Sequence, residues 1–191
     1  MRPSERSGHY SDVAIALHWL LALALVAAFC VGLYMTDLKL SPLRVRLFNW
    51  HKWAGISILV LSLFRLGWRL RHPPPESAAS MSLLQKRLAE GLHYLLYAMF
   101  FLVPIAGWAY SSASGFPVVW FGKIPLPDFV PVDKALAHLL KELHAALSYG
   151  LAAMVGLHVA AALEHHFIER DSIMLRMLPP REHRSAPQSR Q

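Results

Sequence analysis

The last long apolar run of the sequence most limits what this chain can fold into. Residues 143–166 carry no charged side chain between Glu142 and Glu164, a length that can cross a hydrocarbon core about 30 Å thick. The run contains His144 and His158, which lie 14 positions apart. On a helix this spacing places both imidazoles on nearly one face, separated by roughly 21 Å along the axis. Because a polar side chain inside a membrane is costly without a partner, both histidines are candidate functional residues.

The composition indicates an integral membrane protein. Of the 191 residues, 55% are hydrophobic and only 16% are charged. The net charge of +7 would suit a nucleic-acid partner, but the basic residues lie between apolar runs, so none is predicted. The single cysteine, Cys30, excludes an internal disulfide, a thiolate iron–sulfur site and a CxxCH haem attachment. Any haem in this chain is therefore a non-covalent, b-type haem.

Four apolar runs predict four transmembrane helices, at about 13–35, 50–70, 88–112 and 136–167. The predicted fold is an all-α, antiparallel four-helix membrane bundle, a single domain over residues 1–179, followed by a disordered cytoplasmic tail over residues 180–191. A signal peptide is the alternative for the first run, but Phe29 spoils the small-residue cleavage pattern and His18 is unusual in a signal. Most of the 19 lysines and arginines lie at the amino end, in the second connection and in the tail, which predicts that both termini are cytoplasmic.

Four histidines then fall at two depths. His18 and His158 lie near the inner edge of the membrane, and His51 and His144 lie near the outer edge. Two stacked b haems, each held by an imidazole from both sides, would give all four side chains a partner. Arg65 is 14 residues beyond His51, so it is predicted to face the inner haem and to pair with a propionate.

Other interpretations exist for each histidine alone. A single membrane histidine more often makes a helix–helix hydrogen bond, and only the joint match in depth favours haem. His93, at inner depth on the third helix, is a rival that would replace His18 or bond a propionate. A zinc site would need ligands clustered at one depth, which these are not.

The chain resembles the bacterial cytochrome b561 family of small di-haem inner-membrane cytochromes. The resemblance runs from Tyr10 to Pro179 and rests on the following segments: 13–19 (VAIALHW), His51-Lys52, 65–69 (RLGWR), Gly107-Trp108, 111–115 (SSASG), 120–122 (WFG), 141–144 (KELH), Leu157-His158, 165–171 (HHFIERD) and 176–179 (RMLP). The family's haem ligands fall on the four histidines already paired by depth.

The resemblance implies electron transfer across the bacterial inner membrane through two b haems, with superoxide or another small reductant as the periplasmic donor and ubiquinone as the acceptor. Cations of the outward loops would steer an anion toward the outer haem. The candidates are Lys39, Arg44, Arg46, Lys52 and Lys123, although such charges are often only solvated loop residues. Arg69, Glu164, His165 and His166 are the candidates for a quinone and proton site at the inner edge.

Two other functions stay open at this point. The chain would serve as a di-haem electron-carrier subunit if loop 115–134, which is rich in proline and apolar residues, docks a separate dehydrogenase or a soluble cytochrome. A purely structural membrane protein with buried histidines is the non-redox alternative. The visible spectrum of the purified protein separates that alternative from the two redox functions.

Overall fold

The computed structural model describes residues 10–73, 82–171 and 174–178. Four helices dominate it: α1 (Asp12–Asp37), α2 (Pro42–Arg71), α3 (Leu83–Ala113) and α4 (Lys134–Glu164). A π-helical turn, His165–Glu169, continues α4, and a short 3-10 turn covers Leu175–Met177. All four helices are long and apolar enough to cross a membrane. The predicted tail 180–191 and the start of the chain lie outside the described residues.

The helices begin at polar caps that the sequence supplies. Ser11 caps α1, Ser41 caps α2 with Pro42 in the first turn, Ser82 forms a capping box with Gln85, and Asp133 caps α4. The second helix begins at Pro42 and not near residue 50, because Ser41 caps it and a proline fits the first turn of a helix. The third helix likewise begins earlier than predicted, since residues 83–87 are continuous with the apolar run in α3.

Consecutive helices run antiparallel, as cross-helix hydrogen bonds show. Arg65 on α2 reaches Ala14 near the start of α1, while His51 at the other end of α2 reaches Ala28 farther along α1. In the same way α4 packs along α3. The backbone of α4, in contrast, makes few close approaches to α1 or α2. Large apolar side chains such as Leu23 and Phe64 point outward with two thirds of their surface exposed, as lipid-facing residues do.

The loop between α3 and α4 folds over one end of the bundle. Its two short strands, β1 (Val119–Trp120) and β2 (Ile124–Pro125), pair antiparallel, with Val119 opposite Pro125. Phe121 and Gly122 turn the chain with positive φ angles of 51° and 68°. The indole nitrogen of Trp53 on α2 donates to the Val119 carbonyl at 2.6 Å. We call this end the loop end, and the opposite end, where α1 begins and α4 finishes, the terminal end.

Candidate haem sites

The four predicted histidines meet as two pairs, one at each end of the bundle. The ring centres of His51 and His144 are 6.0 Å apart at the loop end, and those of His18 and His158 are 6.2 Å apart at the terminal end. Two imidazoles that bind one metal ion from opposite sides, with bonds of about 2 Å and roughly 1.15 Å from each nitrogen to its ring centre, have centres about 6.3 Å apart. Both separations therefore fit an iron between two axial imidazoles.

Backbone carbonyls fix both rings of the loop-end pair. His51 Nδ1 lies 3.0 Å from the carbonyl oxygen of Ala28, and His144 Nδ1 lies 3.0 Å from that of Val103. A carbonyl oxygen can only accept, so Nδ1 carries the proton in each ring and Nε2 keeps its lone pair. This is the form of histidine that binds a metal, and a hydrogen bond of this kind orients the ring and strengthens it as a ligand.

Glycines make this approach to the backbone possible. A Cβ atom at Gly107 would lie 2.9 Å from His144 Cε1, and one at Gly32 would lie 3.1 Å from His51 Cε1. Each glycine stands four residues, or about one helical turn, after the residue whose carbonyl accepts the hydrogen bond. The imidazole therefore lies against the glycine while its Nδ1 reaches that carbonyl on the same helix. The space that Gly32 leaves by lacking a side chain is thus occupied by the imidazole of His51.

A cavity of about 430 Å³ opens beside the loop-end pair. His51, His144, Gly55 and Trp108 contribute to its lining, and no atom lies within 4 Å of a Cβ built at Gly55. The indole nitrogen of Trp108 is buried with no hydrogen-bond partner in the described part of the chain. A cavity of this volume, mainly apolar and with an unused donor, suits a cofactor that has polar edge groups.

The terminal-end pair is held by a side chain and not by the backbone. The Arg65 guanidinium lies 3.2 Å from the Ala14 carbonyl oxygen and 3.2 Å from His18 Nδ1. Arginine can only donate, so His18 Nδ1 acts as an acceptor and the proton of the neutral ring sits on Nε2. Ligation through Nε2 therefore requires Arg65 to release His18. A haem propionate is the group that would draw the guanidinium away.

A third imidazole stands beside the terminal-end pair. The ring centre of His93 on α3 is 5.2 Å from that of His158, with the rings at 80°. His93 Nδ1 lies 2.7 Å from the Ala89 carbonyl oxygen one turn earlier in its own helix. At 5.2 Å its ring is closer to His158 than an iron between the two would allow, and α3 packs directly on α4. His93 is thus placed to contact His158 and not to oppose it across a metal.

The predicted cations at the loop end differ in placement. Arg44 and Lys52 line the cavity, and the Lys52 ammonium donates to the carbonyl oxygens of Phe116 and Pro117 at 3.3 and 3.4 Å. Lys39, Arg46 and Lys123 are exposed and do not line it. The cavity therefore has two cations at its wall, one of which also holds the covering loop.

The predicted quinone and proton residues Arg69, Glu164, His165 and His166 are not joined to one another by hydrogen bonds or ion pairs in the described part of the chain. His165 Nδ1 lies 2.7 Å from both Glu169 Oε2 and Asp171 Oδ2, which ties together the turn that follows α4. The Arg69 guanidinium lies 5.6 Å above the Tyr97 ring, and within residues 10–73 and 82–171 it makes no hydrogen bond or ion pair with Glu164, His165 or His166. Glu164 is exposed, and the His166 ring contacts Phe167.

A family model described as prokaryotic cytochrome b561 matches residues 9–180. The chain belongs to the cytochrome b561 family. It is a bacterial protein with transmembrane helices and a b-type haem cofactor, and it takes part in electron transport, as members of this family do. The predicted family and the four-helix membrane fold are confirmed.

Three relatives span nearly the whole cytochrome. It is 33% identical over 175 residues to "Probable superoxide oxidase CybB" of Yersinia pestis, and this alignment covers 89% of this chain and 96% of that protein. It is 31% identical over 176 residues to "Cytochrome b561 homolog 2" of Escherichia coli K12, covering 88% and 90%. It is 29% identical over 178 residues to "Cytochrome b562" of Cereibacter sphaeroides, covering 90% and 96%.

Sequence reasoning missed three parts of the sites. Gly107 was noted only as part of a family motif, and its position against His144 is visible only once α3 and α4 are packed. The carbonyl acceptors of Ala28 and Val103 carry no side-chain signal, because every residue has a carbonyl. The closeness of His93 to His158 could have been found from depth, since both were assigned to the inner edge.

Proposed function

We propose that this cytochrome transfers electrons across the bacterial inner membrane through two b-type haems, one at each end of the bundle. The supporting observation is that two pairs of imidazoles, at the spacing of axial ligands, share one helix, α4, which crosses the membrane. When bound, the haems would supply one-electron steps between the two membrane faces. The chain's own residues would hold, orient and separate them.

In this proposal His51 and His144 would hold the loop-end haem, and His18 and His158 would hold the terminal-end haem. Arg65 would neutralise a propionate there after leaving His18, which its long, flexible side chain permits. The indole N–H of Trp108, which has no partner within the described residues, would donate a hydrogen bond to a polar edge group of the loop-end haem.

Superoxide is the donor that the loop end suits best, and the loop end would face the periplasm with both termini in the cytoplasm. Arg44 and Lys52 place two positive charges at the wall of the cavity that the His51–His144 pair also lines. A low-dielectric pocket with positive walls attracts a small anion and speeds its encounter. The relative named as a probable superoxide oxidase gives further support.

Ubiquinone is the proposed acceptor at the terminal end. Each superoxide that becomes oxygen releases one electron, and one quinone takes up two electrons and two protons from the cytoplasmic side. Arg69, Glu164, His165 and His166 stay the candidates for this site. Since Arg69 contacts the Tyr97 ring and, within the described residues, makes no hydrogen bond or ion pair with the His165 turn, quinone contact and proton delivery would fall to different residues of this end.

A stopped-flow experiment tests this function. Mixing the quinone-loaded cytochrome with superoxide is expected to reduce haem faster than superoxide dismutates. Arg44→Gln is expected to slow the second-order rate about two- to fivefold at low salt and less at high salt, because one steering charge is lost. Lys141→Gln is the control, since Lys141 lies on α4 outside the cavity and already faces Glu142 at 3.9 Å. If the haem is still oxidised when all the superoxide has dismutated, superoxide is not the electron donor.

The alternative of an electron-carrier subunit also has an observation in its favour. The loop over the cavity exposes large apolar side chains: Phe116, Phe121, Ile124, Phe129 and Val132 are each at least half exposed. A soluble redox protein or a dehydrogenase could dock on such a surface. Gentle purification distinguishes the two functions, because the subunit would keep a stoichiometric partner, whereas the oxidase would be active alone.

A further inference from the structure

The two imidazoles on α4 meet α3 in different ways. At the loop end, His144 packs against Gly107 and bonds the Val103 carbonyl, four residues before that glycine. His158 lies 14 residues beyond His144 along α4. Since α3 runs antiparallel, the equivalent positions on α3 lie 14 residues earlier, at His93 in place of Gly107 and at Ala89 in place of Val103.

His93 uses the carbonyl that His158 would otherwise take. Its Nδ1 lies 2.7 Å from the Ala89 oxygen, and its side chain stands where glycine leaves space at the loop end. His158 therefore cannot lie on the backbone of α3 as His144 does. Within the described residues, no hydrogen-bond partner contacts either ring nitrogen of His158.

The ring of His93 has the right form to replace that carbonyl. Because its Nδ1 donates to Ala89, its Nε2 is an acceptor. Two imidazoles joined by a hydrogen bond of about 3 Å, with roughly 1.15 Å from each nitrogen to its ring centre, have centres about 5.3 Å apart. The His93–His158 separation is 5.2 Å.

We propose that, in the haem-bound protein, His158 turns its Nδ1 toward His93, and that His93 Nε2 accepts this hydrogen bond, which this structure does not contain. His93 Nδ1 keeps its own hydrogen bond to the Ala89 carbonyl oxygen. His158 is then oriented through the imidazole of His93, whereas His144 bonds the backbone carbonyl of Val103 directly. This inference rests on the proposed haem ligation by His158. It assigns to His93 a role different from an axial ligand of the iron or a propionate partner.

Redox titration of three variants tests the proposal. An acceptor on Nδ1 makes an imidazole more basic and favours ferric iron, so His93→Leu is expected to raise the midpoint potential of the terminal-end haem and to alter its low-spin ferric EPR signal. His93→Gln keeps an acceptor oxygen of similar reach and should stay near the unmodified values. His72→Leu is the control, since His72 lies at the same end and stacks on Trp68, away from His158.

The loop-end haem serves as an internal reference in every variant. Its potential is assigned as the one that disappears in His144→Ala, or the one that Gly107→Ala moves if that variant does not accumulate. His93→Ala replaces the leucine variant where the latter is not recovered. The proposal is overturned if removal of the imidazole shifts neither potential, or if the leucine and glutamine variants shift the terminal-end potential equally. A single haem in the unmodified protein would refute the proposed function instead.

Discussion

The two ends of the bundle hold their histidines by different means. At the loop end, backbone carbonyls of α1 and α3 fix both rings, and two glycines let the rings approach. At the terminal end, the flexible side chains of Arg65 and His93 surround the pair. A backbone carbonyl is held in place by its helix, whereas an arginine or histidine side chain can change its rotamer. The loop-end site is therefore preorganised, and the terminal-end site depends on side chains that must adopt a haem-bound arrangement.

The largest expected effect is the loss of one haem per chain. His144→Ala should remove mainly the loop-end haem and His158→Ala the terminal-end haem, because each change leaves the iron with one imidazole. Haem per chain by pyridine haemochrome should fall from two to one in both. His138→Ala, on the first turns of α4, is the control and should keep two. If either variant retained two bis-imidazole haems, the pairing would be wrong.

A smaller effect is expected from closing the glycine contacts of the loop end. Gly107→Ala places a methyl group 2.9 Å from His144 Cε1, so the ring must move off the Val103 carbonyl. We expect loop-end haem affinity to fall about 10- to 100-fold, the usual cost of losing such a supporting bond, and less for Gly32→Ala at 3.1 Å. Haem transfer to apomyoglobin measures it.

Gly91→Ala provides the matched control for this comparison. Gly91 also lies in α3, but a Cβ there meets no atom within 4 Å. It should leave haem affinity unchanged and slightly stabilise the helix. Equal haem loss in the Gly91 and Gly107 variants would show that helix propensity, and not the contact with His144, decides the outcome.

The smallest expected effect concerns Arg65. Arg65→Gln removes a cation beside the terminal-end pair, which should lower that haem's midpoint potential by roughly 30–60 mV, or about 1 kcal/mol for one electron. Spectroelectrochemical titration would show it, with Arg71→Gln as the control at the exposed end of α2. If Arg65→Gln shifts the loop-end potential instead, Arg65 does not act on the terminal-end haem.

The fold was accessible from the sequence because membrane helices depend on local properties. Apolar runs and the spacing of His144 and His158 predicted four helices and two depths, and the structure brings those pairs together. Arg65 was expected at the inner level from its distance to His51, and it contacts His18 there. The start of α2 was missed because a proline can open a helix as well as end one.

The contacts that orient the histidine rings could not be predicted from the sequence, because they depend on how the helices pack. Neither the use of the Ala28 and Val103 carbonyls nor the contact of Gly107 with His144 follows from residue types, since both depend on the rotation and approach of neighbouring helices. The tautomer of His18 likewise follows only from the position of the Arg65 guanidinium. The proposed haem ligands are therefore predictable from spacing, whereas the means of orienting them is not.

The central claim is that each end of the bundle holds one haem between two imidazoles. The most direct measurement is haem per chain by pyridine haemochrome, combined with low-temperature EPR of the oxidised, unmodified protein. Two haems per chain, both low-spin and with bis-imidazole signals, are expected. One haem per chain, or a stoichiometric high-spin signal from a haem with a single imidazole, would contradict the account.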